Sequence, residues 1–208
     1  LILVVALAYG AVRLTAAPGV RTVRVGVVQA NSVVRESMTL EERARHINLY
    51  GRLTLAAAAL KPDLIAWPAS SLPSRMTDRI SRHGTALIAA RTGIPLLVGG
   101  SGRQKDLERQ EGDTIFANSE FLVSPGGQIA GEYHKVRLLP FNEYLPLRGI
   151  VPWPAWISSV RSDFSPGPGY TLFTAGGARF GTPICWENLF PQTIRRFVAG
   201  GADFIVSV

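Results

Sequence analysis

Apolar and polar positions along the chain form two kinds of segment. Short runs in which nearly every residue is apolar or β-branched are typical of buried strands. Longer segments in which apolar residues recur every three or four positions are typical of helices that bury one face. The predicted strands are 23–31, 62–68, 94–101, 178–185 and 202–208, and the predicted helices are 40–60, 77–93 and 191–199. Their order predicts strand–helix–strand units in both the first and the last part of the chain.

The middle of the chain departs from this alternation. Residues 114–136 are predicted to form two short strands around a turn of sequence SPGG at 124–127, which is typical of a hairpin. A loop rich in proline and aromatic residues follows at 139–170. Because strand–helix–strand units give parallel pairs and a hairpin gives an antiparallel pair, the predicted fold class is α/β with a mixed sheet. Helices are expected on one or both faces of that sheet.

Local signals predict where two of the helices begin and end. Thr39 followed by Glu42 is typical of a capping box at the start of a helix. Gly93 is expected to close the helix that begins near residue 77, because glycine adopts the left-handed backbone conformation common at helix ends.

The chain opens with an apolar run, LILVVALAYGAV, followed by Arg13. The run is shorter than the roughly 20 apolar residues that cross a bilayer, and it lacks the charged start of a signal peptide. We interpret residues 1–14 as the end of a transmembrane helix, 15–22 as a linker and 23–208 as one truncated domain. The alternative for the apolar run is a buried strand or helix of the core. The last residues, ADFIVSV, stop inside a strand-like run, so we expect the domain to continue beyond them.

Composition limits the classes of partner that the protein is expected to bind. The net charge of +7 and the pI near 10.2 favour acidic partners such as nucleic acid or an anionic membrane surface. The arginines are scattered, however, so we favour a solvated basic surface and expect no nucleic-acid partner. One cysteine excludes an internal disulfide framework, and one cysteine with three scattered histidines does not predict a zinc site.

Cys185 is the only cysteine in the chain, and two interpretations of it are open. A lone cysteine in an apolar setting is usually an inert core residue. The end of a strand just before a helix is, however, where open α/β sheets place their sites, and a helix N-terminus favours a thiolate. Backbone N–H groups at this junction, such as that of Trp186, are candidates to face an oxyanion. A Cys–His pair with His134 is a further alternative.

Three segments, taken in order, resemble one enzyme superfamily. YHKVRLLPFNEYLPL at 133–147, DFSPGPGYTLF at 163–173 and PICWENLFP at 183–191 resemble the carbon–nitrogen hydrolases, or nitrilases, and within them the apolipoprotein N-acyltransferases. The resemblance extends over residues 23–208. It implies an α/β fold, a nitrilase-like α-β-β-α sandwich with mixed sheets, here incomplete at the C-terminus.

The resemblance also implies site residues. Cys185 resembles the nucleophile, Lys135 the lysine of a Y-x-K segment, and Glu143 a second glutamate. A fixed ammonium at Lys135 would stabilise the oxyanion that forms when a thiolate attacks an ester carbonyl. Oxyanion or substrate-binding contacts are implied for Tyr144, Trp186 and Glu187.

One position departs from the family pattern. The general-base glutamate of the family falls in a W-P-E type of motif, whereas this chain has Ala69 in the stretch LIAWPASSLP. Alanine accepts no proton, and general-base catalysis contributes typically about 10²–10⁴-fold. Three explanations are open: an inactive homologue, a substitution that traps a state, or a relocated base, with Glu143 as the first candidate.

The function implied by the resemblance is acyl transfer without a cofactor. An acyl chain would pass from a phospholipid to Cys185 as a thioester, and then to the N-terminal diacylglyceryl-cysteine amine of a bacterial lipoprotein. The implied location is the bacterial inner membrane, with the catalytic domain on the periplasmic side. The alternatives are a degenerate homologue that binds without turnover and a soluble amidase. Apolar side chains that meet lipid, or else pack the core, are expected at Leu138, Leu139, Phe141, Trp153 and Trp156.

Overall fold

The structure is a computed structural model that describes residues 1–15, 22–32, 34–35, 37–104, 115–147, 149–154, 156–157 and 164–208. The helices in this part of the chain are α1 (Ile2–Thr15), α2 (Leu40–Ala58), α3 (Arg79–Thr92) and α4 (Pro191–Ala199). The strands are β1 (Val25–Val27), β2 (Leu64–Ala66), β3 (Leu96–Gln104), β4 (Ile115–Val123), β5 (Ile129–His134), β6 (Phe173–Ala175), β7 (Ala178–Gly181) and β8 (Phe204–Ile205). A 3₁₀ helix, Cys185–Leu189, precedes α4.

The strands form two mixed sheets. The first has the order β1-β2-β3-β4-β5, in which β1, β2 and β3 run parallel and the β3-β4 and β4-β5 pairs are antiparallel. The second has the order β6-β7-β8, with an antiparallel pair followed by a parallel pair. The predicted hairpin is the β4-β5 pair, and the mixed α/β class is confirmed.

Two apolar clusters lie on opposite faces of the first sheet, because side chains alternate along each strand. On one face, Ile65 and Trp67 pack with α2 and α3 residues such as Tyr50. On the other face, Leu64 packs with residues of the second sheet such as Phe180. The layers are therefore helices α2 and α3, the first sheet, and the second sheet. We call the cluster between the sheets the inter-sheet cluster; it includes Leu64, Ala66, Leu97, Leu122, Tyr133, Phe173, Phe180, Ile184 and Phe197.

The predicted helix ends are confirmed by hydrogen bonds. The Thr39 hydroxyl accepts from the N–H of Glu42 at 3.2 Å, and the N–H of Thr39 donates to the Glu42 carboxylate at 2.7 Å. The reciprocal pair satisfies two donors that a helix start otherwise leaves open. Gly93 follows α3 with φ of 68°, the left-handed conformation expected for a closing glycine.

Helix α1 has no buried residue, so the alternative of a core element for the N-terminal run is wrong. Within the described ranges, no helix combines the length and the apolarity that a membrane crossing requires. The predicted linker falls mostly on residues 16–21, which lie outside the described residues.

Predicted strand bounds differ from the structure at several strands, and one strand was not predicted. Strand β1 covers only Val25–Val27 and lies at a sheet edge, where Val27 is exposed, so it is not buried on both faces. Strand β6 was not predicted, since its three residues carry too short a pattern. Strand β7 ends at Gly181 rather than Cys185. Pro183 explains the early end, because proline has no N–H to donate to the strand ladder.

Candidate active site

Cys185 is the first residue of the 3₁₀ helix and is exposed. The inert core cysteine is thereby ruled out. Its φ is 52°, in the left-handed region that a residue with a Cβ rarely adopts. The N–H of Cys185 donates to the carbonyl of Val208 at 2.7 Å, which holds this backbone in place. A strained conformation that surrounding bonds maintain is common at functional sites.

Lys135 follows β5 and is almost completely buried, with Glu143 as its partner. The Lys135 Nζ lies 3.0 Å from Glu143 Oε1 and 2.8 Å from Oε2, and the two side chains are 1% and 6% exposed. Removing one partner of such a pair would leave an uncompensated buried charge. The sequence placed these two residues eight positions apart, and the structure joins them as a buried ion pair.

Glu143 has further donors fixed around it. The side-chain amide of Asn118 donates to its Oε1 at 3.0 Å, and the N–H of Leu139 donates to its Oε2 at 2.8 Å. Both carboxylate oxygens are therefore held by donors in addition to the Lys135 ammonium. Protonation of Glu143 would weaken the ion pair, which argues against Glu143 as the relocated base.

Glu187 is a fully buried carboxylate that joins two segments of the site. Its Oε1 accepts from the N–H groups of Val136 and Arg137, each at 2.9 Å, and its Oε2 accepts from the N–H of Ile184 at 2.9 Å. The hydroxyl of Tyr133 also donates to it, at 2.9 and 3.0 Å. This network ties the residue before Cys185 to the residues that follow Lys135. The substrate contact expected for Glu187 remains a prediction, and the structure adds this positioning role.

The tyrosine in this network is strongly perturbed. Burial raises the pKa of Tyr133 far above its ordinary value, and the negative charge of Glu187 raises it further. Tyr133 therefore stays neutral at neutral pH and donates its hydroxyl hydrogen bond to Glu187.

Ala69 lies just beyond β2, at the strand end where the sequence placed it, and it packs against the inter-sheet cluster. A buried carboxyl group of β4, Glu120, occupies the neighbouring space. A Cβ built on Gly99 would lie 2.7 Å from Ala69 Cα and 2.5 Å from Glu120 Oε1, so these two residues meet across the glycine. Only a residue without a side chain leaves room for this approach at position 99.

Glu120 is completely buried, and neither of its oxygens has a hydrogen-bond partner within the described part of the chain. Burial raises its pKa well above the usual range for glutamate. Sequence reasoning missed this residue. The signal was available, because a glutamate stands in the middle of the apolar segment that was predicted to form the first strand of the hairpin.

The histidines lie elsewhere. His134 Nδ1 is 2.7 Å from the Ser119 hydroxyl, and strand alternation places it on the opposite face of the sheet from Tyr133. His46 is buried against the Ser71 carbonyl, at 2.8 Å, and His83 is exposed on α3. The alternative of a Cys185–His134 pair is therefore not supported. Within the described ranges, no group of three His, Cys, Asp or Glu side chains could hold a metal ion.

Comparison with known proteins identifies the family. The family model for carbon-nitrogen hydrolase matches residues 24–208. The chain belongs to the carbon-nitrogen hydrolase family. This membership agrees with the motif order seen in the sequence.

Two relatives of this carbon-nitrogen hydrolase carry the same name. The apolipoprotein N-acyltransferase of Geobacter metallireducens is 30% identical over 100% of this chain and 39% of its own length. The apolipoprotein N-acyltransferase of Bdellovibrio bacteriovorus is 30% identical over 88% of this chain and 36% of its own length. The chain thus spans about two fifths of the length of these relatives.

Solved structures share the fold. An amidase from Nesterenkonia sp. AN1, with acrylamide added at its active-site cysteine, matches with a TM-score of 0.64 and 17% identity, over 89% of this chain and 66% of that chain. A cysteine-to-alanine mutant of the same amidase matches with a TM-score of 0.61 over 92% of this chain and 66% of that chain. The nitrilase-like α/β fold with mixed sheets is confirmed.

Next to the site, this carbon-nitrogen hydrolase exposes apolar side chains. Phe141 is 47% exposed and Trp156 is 80% exposed, and Trp153 packs edge-on against Phe141 with ring centroids 5.3 Å apart. Leu138 and Leu139 are partly buried. None of these five is a core residue, so the alternative of core packing is wrong for them. Tyr144 closes the start of this loop by accepting at its carbonyl from the N–H of Phe141 at 2.8 Å.

Proposed function

We propose that this chain carries the catalytic site of an apolipoprotein N-acyltransferase. The observation that carries the proposal is the exposed, backbone-strained Cys185, tied through Glu187 to the segment that holds the buried Lys135–Glu143 pair. A nucleophile that is open to solvent, with a fixed cation in the segment that Glu187 ties to it, fits attack on an ester carbonyl.

The reaction would proceed in two transfers. The Cys185 sulfur bonds to the acyl carbonyl carbon of a phospholipid, the ester C–O bond breaks, and a lysophospholipid leaves with the thiol proton on its oxygen. The α-amine of a diacylglyceryl-cysteine then bonds to the same carbon and the C–S bond breaks, so that the amide leaves and one amine proton returns to the Cys185 sulfur. In both steps the Lys135 ammonium stabilises the negative charge that develops on the carbonyl oxygen.

Lipid substrates also fit the surface beside the site. The exposed side chains of Phe141 and Trp156, and the half-exposed Trp186 next to Cys185, offer an apolar surface to acyl chains. Phe141 also packs edge-on against Trp153, and contiguous exposed apolar groups are typical of sites that meet a membrane or a ligand. The names of the relatives and the apolar helix α1 support a membrane-associated enzyme. We propose the bacterial inner membrane as its location, with the domain on the periplasmic side, because the motif resemblance implies it.

A second candidate is a homologue that binds lipid or lipoprotein without turnover. The absence of a carboxyl group at Ala69 favours it, because a site that lacks its base loses most of its rate. The two candidates differ in whether a covalent acyl group ever appears on Cys185.

The test is transfer from a fluorescent phospholipid to a synthetic diacylglyceryl-cysteine peptide, with intact-mass analysis of the protein. We expect an acyl adduct on the unaltered chain, none on Cys185→Ala, and fluorescent peptide as the product. Phospholipid binding without an adduct would overturn the transferase and favour the binding homologue. Turnover of small amides with no transfer from phospholipid would favour an amidase.

A further inference from the structure

We propose that Glu120 supplies the proton-accepting carboxyl group that position 69 lacks, so that the base of this site has moved from the end of β2 to the middle of β4. The inference rests on the proposed function, since it assigns a role within the same acyl transfer. The two positions adjoin the same space, because Glu120 Oε1 and Ala69 Cα both lie next to the point where a side chain on Gly99 would begin.

Strand register directs the Glu120 side chain toward the site. Glu120 is paired with Tyr133 across the β4-β5 ladder, and Lys135 follows two residues later on the same face. Diagonal neighbours in an antiparallel pair lie about 7–8 Å apart, within reach of long side chains. Asn118, two residues before Glu120, bonds to Glu143 and so marks this face as the one that carries the Lys135–Glu143 pair.

The lack of partners for Glu120 is unusual. A buried polar side chain without a hydrogen bond costs stability, whereas an apolar residue of similar size would cost none. Every other carboxylate named at this site, Glu143 and Glu187, accepts several bonds from fixed donors. A buried carboxyl group without hydrogen-bond partners remains available to exchange a proton.

The titration of Glu120 depends on its burial and on the ionisable groups around it. Ionisable groups on its face of the sheet, and in the described segments packed against that face, include Tyr133, Lys135, Glu143, Tyr170, Cys185 and Glu187, and β3 places Gly99 opposite Glu120. Burial raises the pKa of Glu120 well above its usual range. The Lys135 ammonium on the same face is paired with Glu143. A base whose pKa lies closer to the working pH transfers protons more efficiently.

The proton balance is simple in both steps. As Cys185 attacks the ester, its S–H proton passes to the ionised Glu120, which then protonates the alcohol oxygen that leaves. As the amine attacks the thioester, its N–H proton passes to Glu120, and the Cys185 thiolate leaves and takes that proton back. Glu120 ends each cycle in the state in which it began.

A small aryl ester tests the proton-transfer role of Glu120 without depending on the lipid substrate. p-Nitrophenyl acetate is used to acetylate Cys185, and the loss of the thioester to added benzylamine is followed by mass. We expect Glu120→Gln to slow both acetylation and aminolysis by about 10²–10⁴-fold and to remove the acid limb of the pH–rate profile. Glu132→Gln, an exposed carboxylate on the neighbouring strand, is the control and is expected to change neither rate.

The decisive variant moves the carboxyl group back. Ala69→Glu combined with Glu120→Ala is expected to recover the rates to within about ten-fold of the unaltered chain, whereas Glu120→Ala alone stays slow. A merely structural role for Glu120 predicts no such recovery. Circular dichroism and urea unfolding report whether each variant is folded.

Two results would overturn the inference. One is unchanged acetylation and aminolysis rates in folded Glu120→Gln, and the other is a double variant that reacts no faster than Glu120→Ala. If the aryl ester labels Cys185 and phospholipid does not, the proposed transferase is wrong. The acetylation and aminolysis rates of the Glu120 variants with the aryl ester then decide the role of Glu120 by themselves. If no ester labels Cys185, both proposals fail.

Discussion

The buried carboxylate of Glu187 offers the sharpest test of how the site is held together. Glu187→Gln keeps the size of the side chain and replaces one oxygen by an NH₂ group. With the amide in one orientation, the NH₂ group faces the N–H of Ile184, so a donor meets a donor. In the other orientation it faces the two N–H groups of Val136 and Arg137, which is worse.

The expected cost follows from the better orientation. One backbone donor loses a bond to a charged acceptor, which is worth roughly 1.5–3 kcal/mol, and the bonds that remain become bonds to a neutral acceptor. Tyr133 can turn its hydroxyl and accept from the new NH₂ group. We therefore expect Glu187→Gln to lower the free energy of unfolding by about 3 kcal/mol, out of roughly 5–15 kcal/mol for a typical domain.

Urea unfolding at pH 7 measures this cost as a lower midpoint with an unchanged m-value. Glu41→Gln is the matched control, because Glu41 is exposed and pairs with Arg45 one turn along the helix; its effect should stay below about 0.5 kcal/mol. The Cys185 thiol should also react faster with iodoacetamide in Glu187→Gln, as the segment that carries it loosens. A loss of less than about 1 kcal/mol for Glu187→Gln would refute the assignment of Glu187 as the central tie.

Two further predictions concern the nucleophile and the ion pair. Cys185→Gly should be more stable than Cys185→Ala by about 1 kcal/mol in urea unfolding, because only alanine keeps a Cβ at φ of 52°. Equal stabilities of the two variants would mean that the backbone at this position stores no strain. Lys135→Met should cost about 3–5 kcal/mol by leaving Glu143 buried without its cation, and adding Glu143→Gln should recover more than half of that loss. If the double variant is no more stable than Lys135→Met, the two side chains are not coupled as the geometry indicates.

Much of the fold was predictable because its signals are local. The capping box at Thr39 and the closing Gly93 depend on a few neighbouring residues, and both were predicted and confirmed. Strand β6 was missed because its three residues carry too short a pattern, and the end of β7 was misplaced because Pro183 has no N–H to donate to the strand ladder. The resemblance of the motifs to the family was likewise visible in the sequence, and the family model confirms the membership.

The features of the candidate site likewise fall into those that the sequence predicts and those that only the structure decides. Sequence alone determined that Cys185 is the only thiol, that residue 69 is alanine where the motif resemblance implies a glutamate, and that Lys135 and Glu143 belong to recognisable motifs. Only the tertiary structure decided that Lys135 and Glu143 bury their charges against each other, that Glu187 ties the two segments together, and that Glu120 lies beside Ala69. The physical reason is that hydrogen bonds, burial and desolvation depend on distances in space, and strand pairing brings β4 next to positions far from it along the chain.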